Sequence, residues 1–402
     1  MTNSLPLEDL RIVAVEQYGA GPFGTQFLAD LGADVIKIES PRTGGDVGRT
    51  VGPFFHDGLE ESASSLFYQA FNRNKRSVSL DLSVPDGQAV LHDLVRSADA
   101  VAGNLRGDVP EKLGLTYAVL GAVKPSIVCA HLTAYGRDGP RAAWPGYDFL
   151  MQAEAGYFAV TGEPGGPPSR MGLSIVDYMA GLTMAFGLVS CVHEAKRTGR
   201  GRDVDVALFD SALFNLSYLS TWYLDARHNQ GREPRSAHAS LTPCQLYRTA
   251  DGWIYLMCNK EKFWGALCER IDRPDWINDP RFATFPDRLK NRDLITEMLD
   301  DVLSARTTGA WLQRFAGVVP AAPLHDVAEA LDNPYISERD GIRKAPLSDG
   351  NTLRTLASPV RLEGTDLPNE PGPALGAQTE SVLAELGYDQ ARIDALRDKG
   401  VI

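Results

Sequence analysis

Apolar residues recur along the chain in two rhythms. "LRIVAVEQ" alternates and is rich in β-branched residues, which predicts a buried strand. "GAGPFG" follows, then the helical segment "TQFLADLG", closed by Gly32 at its C′ position. "ADVIKIE" supplies a second strand. Strand, helix and strand make a βαβ unit, and such units build parallel sheets covered by helices. The rhythm repeats: "SVSLDL" is a strand and "PDGQAVLHDLVRSA" a helix with Pro85 near its start. "DAVAGNL" is a strand, "TYAVLGAVKP" is helical, and "SIVCAHLTAYG" is a strand running into a loop. A doubly wound α/β sheet is expected over roughly the first 190 residues.

Beyond it, the strand-like run Gly172–Val176 delivers Asp177 to the start of a long apolar helix. The composition changes past Phe209. "LTPCQLYRTADGWIYLMCN" reads as a hairpin turning at Ala250-Asp251-Gly252, with helices after it. "VVPAAPLHDVAEALDN" and "AQTESVLAELG" return to an α/β character. The expected organisation is a large α/β domain over 1–190, completed by 326–402. Linker helices span 191–225, and a smaller α+β domain spans 226–325.

Length and composition narrow the function. A chain of 402 residues accommodates two or three domains. Its 44% hydrophobic residues can fill a core. A net charge of −12 argues against nucleic acid as a partner, because phosphate backbones select basic surfaces. The five cysteines form no C-x-x-C pair and read as core thiols of a reducing compartment. "MTNSLPLEDL" has no basic region followed by an apolar one, and the apolar run Met179–Val192 is short for a membrane span. A cytoplasmic protein without membrane attachment is expected. No pair of histidines has metal-ligand spacing, so no metal site is expected. No G-x-S-x-G elbow is present.

Gly19-Ala20-Gly21-Pro22-Phe23-Gly24 matches G-x-G-x-x-G between a strand and a helix. Glu39 stands 20 residues after Gly19, at the end of the next strand, the place of the acid that holds a ribose. Alone, this supports an NAD-dependent dehydrogenase. Pro22 removes one backbone N–H from the loop, and is equally good helix-start chemistry at position N1. Asp177 has two readings as well. It suits a helix N-cap, worth about 1 kcal/mol, and it suits a nucleophile. A carboxylate with an ordinary pKa of about 3.9 is ionised at neutral pH and needs no separate base.

Five segments, in order across nearly the whole chain, resemble the class III CoA-transferases. They are "AGPFGTQFLADLGADVIKIE", "FNRNKRSVSLDL", "GYDFLMQAEAG", "TGRGRDVDVALFDSAL" and "PALGAQTESVLAELG". The resemblance implies a Rossmann-like large domain whose glycine turn serves coenzyme A, and an interlocked homodimer. It implies CoA transfer from an acyl-CoA to a small carboxylic acid, with CoA as substrate and no permanently bound cofactor. The family's nucleophilic aspartate, ahead of a long helix ending in T-G-R-G, falls on Asp177, which would form an aspartyl covalent intermediate.

The same resemblance places CoA contacts at Tyr18, Gly19 and Ala20 in the first loop and at Leu80, Asp81, Leu82 and Ser83 after the third strand. It adds Asn104, Leu105 and Arg106 after the fourth strand, then Lys112, and then Tyr147 and Asp148. Ser40 stands where a basic residue often follows the glutamate, and Arg42 is its expected replacement. The α-methylacyl-CoA racemases are an alternative branch of the family. Theirs is a "GHD" motif where this chain has Gly146-Tyr147-Asp148, and a tyrosine of pKa about 10 is a poor α-proton base. Arg170, Arg232 and Arg235 are candidates to bind a second carboxylate of a substrate.

Overall fold

The computed structural model describes residues 4–347 and 349–402. Two compact units are present. The larger comprises residues 1–155, 172–217 and 337–402, and the smaller 156–171 and 218–336.

In the larger unit, β1 (Arg11–Val15) leads through α1 (Ala20–Asp30) to β2 (Asp34–Glu39). After α2 (Leu66–Asn72) come β3 (Arg76–Ser79), α3 (Pro85–Ser97) and β4 (Ala100–Gly103). The short helices α4 (Val109–Lys112) and α5 (Tyr117–Leu120) precede β5 (Val128–Thr133). Then follow α6 (Asp148–Glu154), α7 (Tyr157–Val160, in the smaller unit), α8 (Ile175–Thr198) and β6 (Asp203–Ala207). The six strands form one parallel sheet in the order β3-β2-β1-β4-β5-β6. β1, β4 and β5 are almost wholly buried and mostly apolar because helices cover both faces of a central parallel strand. The strand order reverses between β1 and β4, and a crevice opens at the carboxyl ends of strands beside such a point.

Segment 191–225 is not only linker helices. α8 runs through Thr198, and "DVDVA" forms β6 at the sheet edge, where one side need not be apolar. The strand-like run before Asp177 is also absent. Gly172 and Leu173 lie in a bend and the helix starts at Ile175, so Asp177 is the third residue of α8 and not its cap. With 24 residues, α8 is longer than its apolar run suggests, and its length and composition would suffice to cross a membrane. Here it packs along α1 and against β5 and β6.

Glycine sets the approach of α1 to α8. A Cβ on Gly24 would lie 2.3 Å from the carbonyl oxygen of Gly181, and a Cβ on Gly181 would lie 2.3 Å from that of Ala20. Backbone meets backbone at this crossing, and only glycine permits it. The close contact carries the first turn of α8, with Asp177, up to the first turn of α1.

The C-terminal stretch completes this unit. The Asp81 N–H donates to the Val401 carbonyl, and the Ser79 N–H to Thr379 Oγ1. Val382, Leu383, Ile393 and Leu396 enter the core beneath the sheet. In the smaller unit, β7 (Cys244–Arg248) and β8 (Trp253–Met257) form the expected hairpin, and β9 (Ala321–Pro323) adds a third antiparallel strand. Helices from Glu261 to Phe315 pack on it around Trp264, Phe282, Leu299 and Trp311.

Candidate active site

The loop between β1 and α1 lies at the switch point of the sheet. Two clefts open there and share Gln17 and Leu105. The first, about 180 Å³, is lined by Tyr18, Gly19, Ala20, Asn104, Tyr147 and Asp177, among others. The second, about 310 Å³, is lined by Arg42, Leu80, Asp81, Leu82, Ser83 and Leu105. Positions scattered over 160 residues of sequence thus meet at one crevice.

Asp177 is 7% exposed. A Cβ on Gly19 would come within 3.0 Å of its Oδ2, so the carboxylate faces the bare Cα of that glycine. The Gly19, Ala20 and Gly21 N–H groups have no protein acceptor among the described residues. They are the unpaired donors of a helix start. The Asp177 N–H donates to Asp148 Oδ2 at 3.0 Å. Gln152 Nε2 donates to Asp148 Oδ1 at 2.6 Å and to the Leu173 carbonyl at 2.9 Å. Asp148, at the start of α6, therefore caps α8 from outside while bringing a second carboxylate near Asp177. Burial first, and the Asp148 charge second, push the Asp177 pKa up from its ordinary 3.8 to about 7. The carboxyl is thus not freely ionised at neutral pH as an exposed aspartate would be.

Aromatic rings flank this carboxylate. Phe23 packs on Tyr178 at 4.6 Å between centroids, and Tyr18 lies 4.9 Å from Phe67 and 6.5 Å from Tyr147. Tyr147 is 63% exposed at the mouth of the cleft.

The three glycines of the G-x-G-x-x-G match each answer a different neighbour. Gly19 clears Asp177, Gly21 clears the Asn104 side chain, and Gly24 clears Gly181. Pro22 is the third residue of α1, not the first, and its missing N–H is still one a helix start leaves unpaired. Glu39 is not presented to a ligand. Its Oε1 accepts from Arg49 Nη2 at 2.5 Å and Ser77 Oγ at 2.6 Å, and its Oε2 from Arg49 Nε at 2.8 Å and the Asp46 N–H at 2.9 Å. A carboxylate so fully bonded has no capacity left for a ribose.

Other expected positions are placed differently. Arg42 reaches Asp81, Nε to Oδ2 at 2.5 Å, and its side chain remains 63% exposed over the second cleft. The Asp81 carboxylate also accepts from the Ser83 N–H and hydroxyl. Arg106 pairs with Asp108, as does Lys112, and Lys112 lines neither cleft. Asp148 is turned toward Asp177 and Gln152, away from the cleft lining. Arg232 donates to the carbonyls of Phe158 and Gly166, Arg235 pairs with Asp300 at 2.7 Å, and Arg170 donates to the Met171 carbonyl. These bonds within the smaller unit account for their guanidinium groups.

Asp46, Gln152 and Gly181 were not singled out by sequence reasoning. For Asp46 the signal was a D-x-G turn, in which its carboxylate accepts the Gly48 N–H. For Gly181 it was a glycine inside a helical apolar run.

The family model described as CoA-transferase family III matches residues 7–379. An acetyl-CoA:oxalate CoA-transferase of Acetobacter aceti is 34% identical over 96% of this chain and 97% of its own. A succinate–glutarate CoA-transferase of Agrobacterium fabrum is 33% identical over 95% of this chain and 96% of its own. Among solved structures, a CaiB/BaiF family protein from Brucella suis is 32% identical, with a TM-score of 0.82 over 96% of this chain and all of that one. With the buried aspartate, the glycine crossing and the crevice at the switch point on the same chain, the protein belongs to CoA-transferase family III.

Proposed function

We propose that the protein moves CoA from an acyl-CoA donor to a carboxylic acid, with Asp177 as covalent nucleophile. The observation that carries this reading is the Asp177 carboxylate, buried in a cleft against Gly19 and beside unpaired N–H groups at the start of α1. Burial and Asp148 make it a stronger base, and so a stronger nucleophile, than an exposed carboxylate.

Asp177 attacks the thioester carbonyl carbon. The C–S bond breaks, CoA leaves as thiolate, and an aspartyl–acyl anhydride remains. The thiolate attacks the aspartyl carbonyl, the anhydride C–O bond breaks, and the donor acid departs. An aspartyl-CoA thioester is left. The acceptor carboxylate attacks it and expels the thiolate. That thiolate attacks the acceptor carbonyl of the new anhydride, which gives the product acyl-CoA and returns Asp177 as carboxylate. Each addition develops an oxyanion, and the N–H groups of Gly19 and Ala20 are its proposed donors.

CoA lies across the two clefts in this reading. Its adenosine end sits by Arg42 and Leu80–Ser83, and its thioester by Tyr18, Leu105 and Tyr147. The doubly wound strand order supports a Rossmann-like nucleotide site at the crevice. Both relatives described above are named for dicarboxylic acids, so the proposed acceptors are small dicarboxylates. The exposed Leu182 and Phe186 on α8, and Phe214 beyond it, support a homodimer covering that face. The cytoplasm is the proposed location.

The test is mass analysis of the peptide containing Asp177 after incubation with acetyl-CoA, succinyl-CoA and oxalyl-CoA. An acyl or CoA adduct on that peptide is expected from at least one donor, and none from Asp177→Asn. Turnover by Asp177→Asn at the parent rate would overturn the assignment.

A further inference from the structure

Asn104 was expected to touch CoA, yet both ends of its side-chain amide are already engaged. Its Oδ1 accepts the Gln17 N–H at 2.8 Å, and its Nδ2 donates to the Gln17 carbonyl at 2.7 Å. The last pairing of β1 with β4 is Val15 with Gly103. Just beyond it, the strands would splay into the crevice. The Asn104 amide replaces the next rung of the ladder and ties the loop after β1 to the loop after β4. Its Cβ and Cγ also stand 2.9 Å from where a Cβ on Gly21 would be, so the side chain fits against the first turn of α1.

The next residue is held from the opposite side. Tyr18 adopts φ of 67°, a left-handed conformation that strains a non-glycine residue. Its N–H donates to Asp46 Oδ1 at 2.8 Å. Asp46 is itself fixed by Lys37 Nζ at 2.7 Å on Oδ2, with both side chains fully buried. Asn104 and Asp46 thus grip successive residues of a strained turn. The following two residues are Gly19, which faces the Asp177 carboxylate, and Ala20, which starts α1.

We infer that Asn104, together with Asp46, is a positioning residue that holds the Gln17–Tyr18 turn so that the start of α1 is aimed at the reacting carbonyl. This inference rests on Asp177 being the nucleophile. It differs from a CoA-binding role in what it predicts. Binding loss raises KM for acyl-CoA, whereas misaimed donors lower kcat. Asparagine is required because the site needs one donor and one acceptor in a single planar group. Aspartate keeps the acceptor and loses the donor, and alanine loses both.

The experiment compares the parent with Asn104→Ala and Asn104→Asp, each assayed per folded protein, using the acyl-CoA that labels the parent. Amide hydrogen exchange over Gln17–Ala20 is measured on the same samples without substrate. The expected result is faster exchange in that segment and a kcat roughly ten- to a hundredfold lower for Asn104→Ala, with a smaller change in KM. Asn104→Asp should fall between the parent and alanine, and it decides the matter if Asn104→Ala does not fold. A raised KM with unchanged kcat and unchanged exchange would overturn the inference and make Asn104 a CoA contact. Unchanged values throughout would remove any role. In either case Asp177→Asn, run alongside, separates the two ideas. If it is inactive while Asn104→Ala is normal, only the positioning role falls, and if it is active the nucleophile assignment falls.

Discussion

Replacing Asp177 by asparagine should stabilise the protein, and by an amount that grows with pH. The Asp177 pKa is about 7 in the folded chain against 3.8 ordinarily, so the folded state holds this proton more tightly than the unfolded one. The protonated side chain contributes fully below the unfolded value. That contribution is lost as pH climbs toward the folded value, because ionisation then occurs in a buried site beside Asp148. At about 1.4 kcal/mol per pH unit, a rise from 3.8 to about 7 amounts to about 4 kcal/mol once the carboxyl is fully ionised. Asparagine keeps the shape and cannot ionise. Relative to the parent, Asp177→Asn should gain about 1.5 kcal/mol at pH about 5 and about 4 kcal/mol at pH about 8.5. Parallel urea denaturation of the two proteins at both pH values measures this. The growth of the difference with pH is the decisive quantity, since any change in packing affects both values alike. A difference that stays constant, or shrinks as pH rises, would refute the burial argument. The same ionisation should give kcat/KM an acid limb centred near pH 7, because a protonated carboxyl does not attack.

Four further outcomes follow from the same geometry. Asp148→Asn removes the neighbouring charge, so the acid limb should move to lower pH, and one of the bonds now made to Asp177 and Gln152 should be lost; a pH–rate profile checks the direction. Gly181→Ala forces a Cβ to within 2.3 Å of a backbone carbonyl, and should cost roughly 1–3 kcal/mol in denaturation as well as kcat, because α8 carries Asp177 away with it. Arg49→Met strands Glu39 in a buried site where both side chains are at most 2% exposed, and should destabilise the fold by roughly 3–5 kcal/mol by thermal or chemical denaturation. Arg42→Ala should raise KM for acyl-CoA several-fold at unchanged kcat, because Arg42 lines the second cleft, apart from Asp177.

The sheet was legible because central parallel strands are buried on both faces and leave apolar runs, and because the glycine turn after β1 has a strong local signal. β6 was not, since an edge strand with two charged positions in "DVDVA" looks like a surface connection. The start of α8 was misplaced for a related reason. "GLSIV" has β-branched residues in a row, and their local preference for a strand is overruled when Val176 packs into the core as part of the helix. Asp177 was singled out as the proposed nucleophile through resemblance, because nothing in its neighbours announces such a role. Its raised pKa was out of reach of local reasoning, since Asp148 lies 29 residues away and the burying surfaces come from α1 and α6.

The proposed reaction also needs a carboxylate, a weak nucleophile in water, to be made reactive. The folded chain keeps Asp177 in a place where its charge is unfavourable, and the proposed acylation would remove that charge. On that proposal, the free energy that burial adds to the ionised carboxylate would be released when the aspartyl adduct forms, and restored when the last acyl-CoA leaves. The helix crossing at Gly24 and Gly181, the cap from Asp148, and the grip of Asn104 and Asp46 on the opposing turn all hold the groups in this arrangement. None of these residues need touch the substrate. In the proposed reaction the chemistry belongs to one carboxylate, while its reactivity belongs to the packing of three helix starts around it.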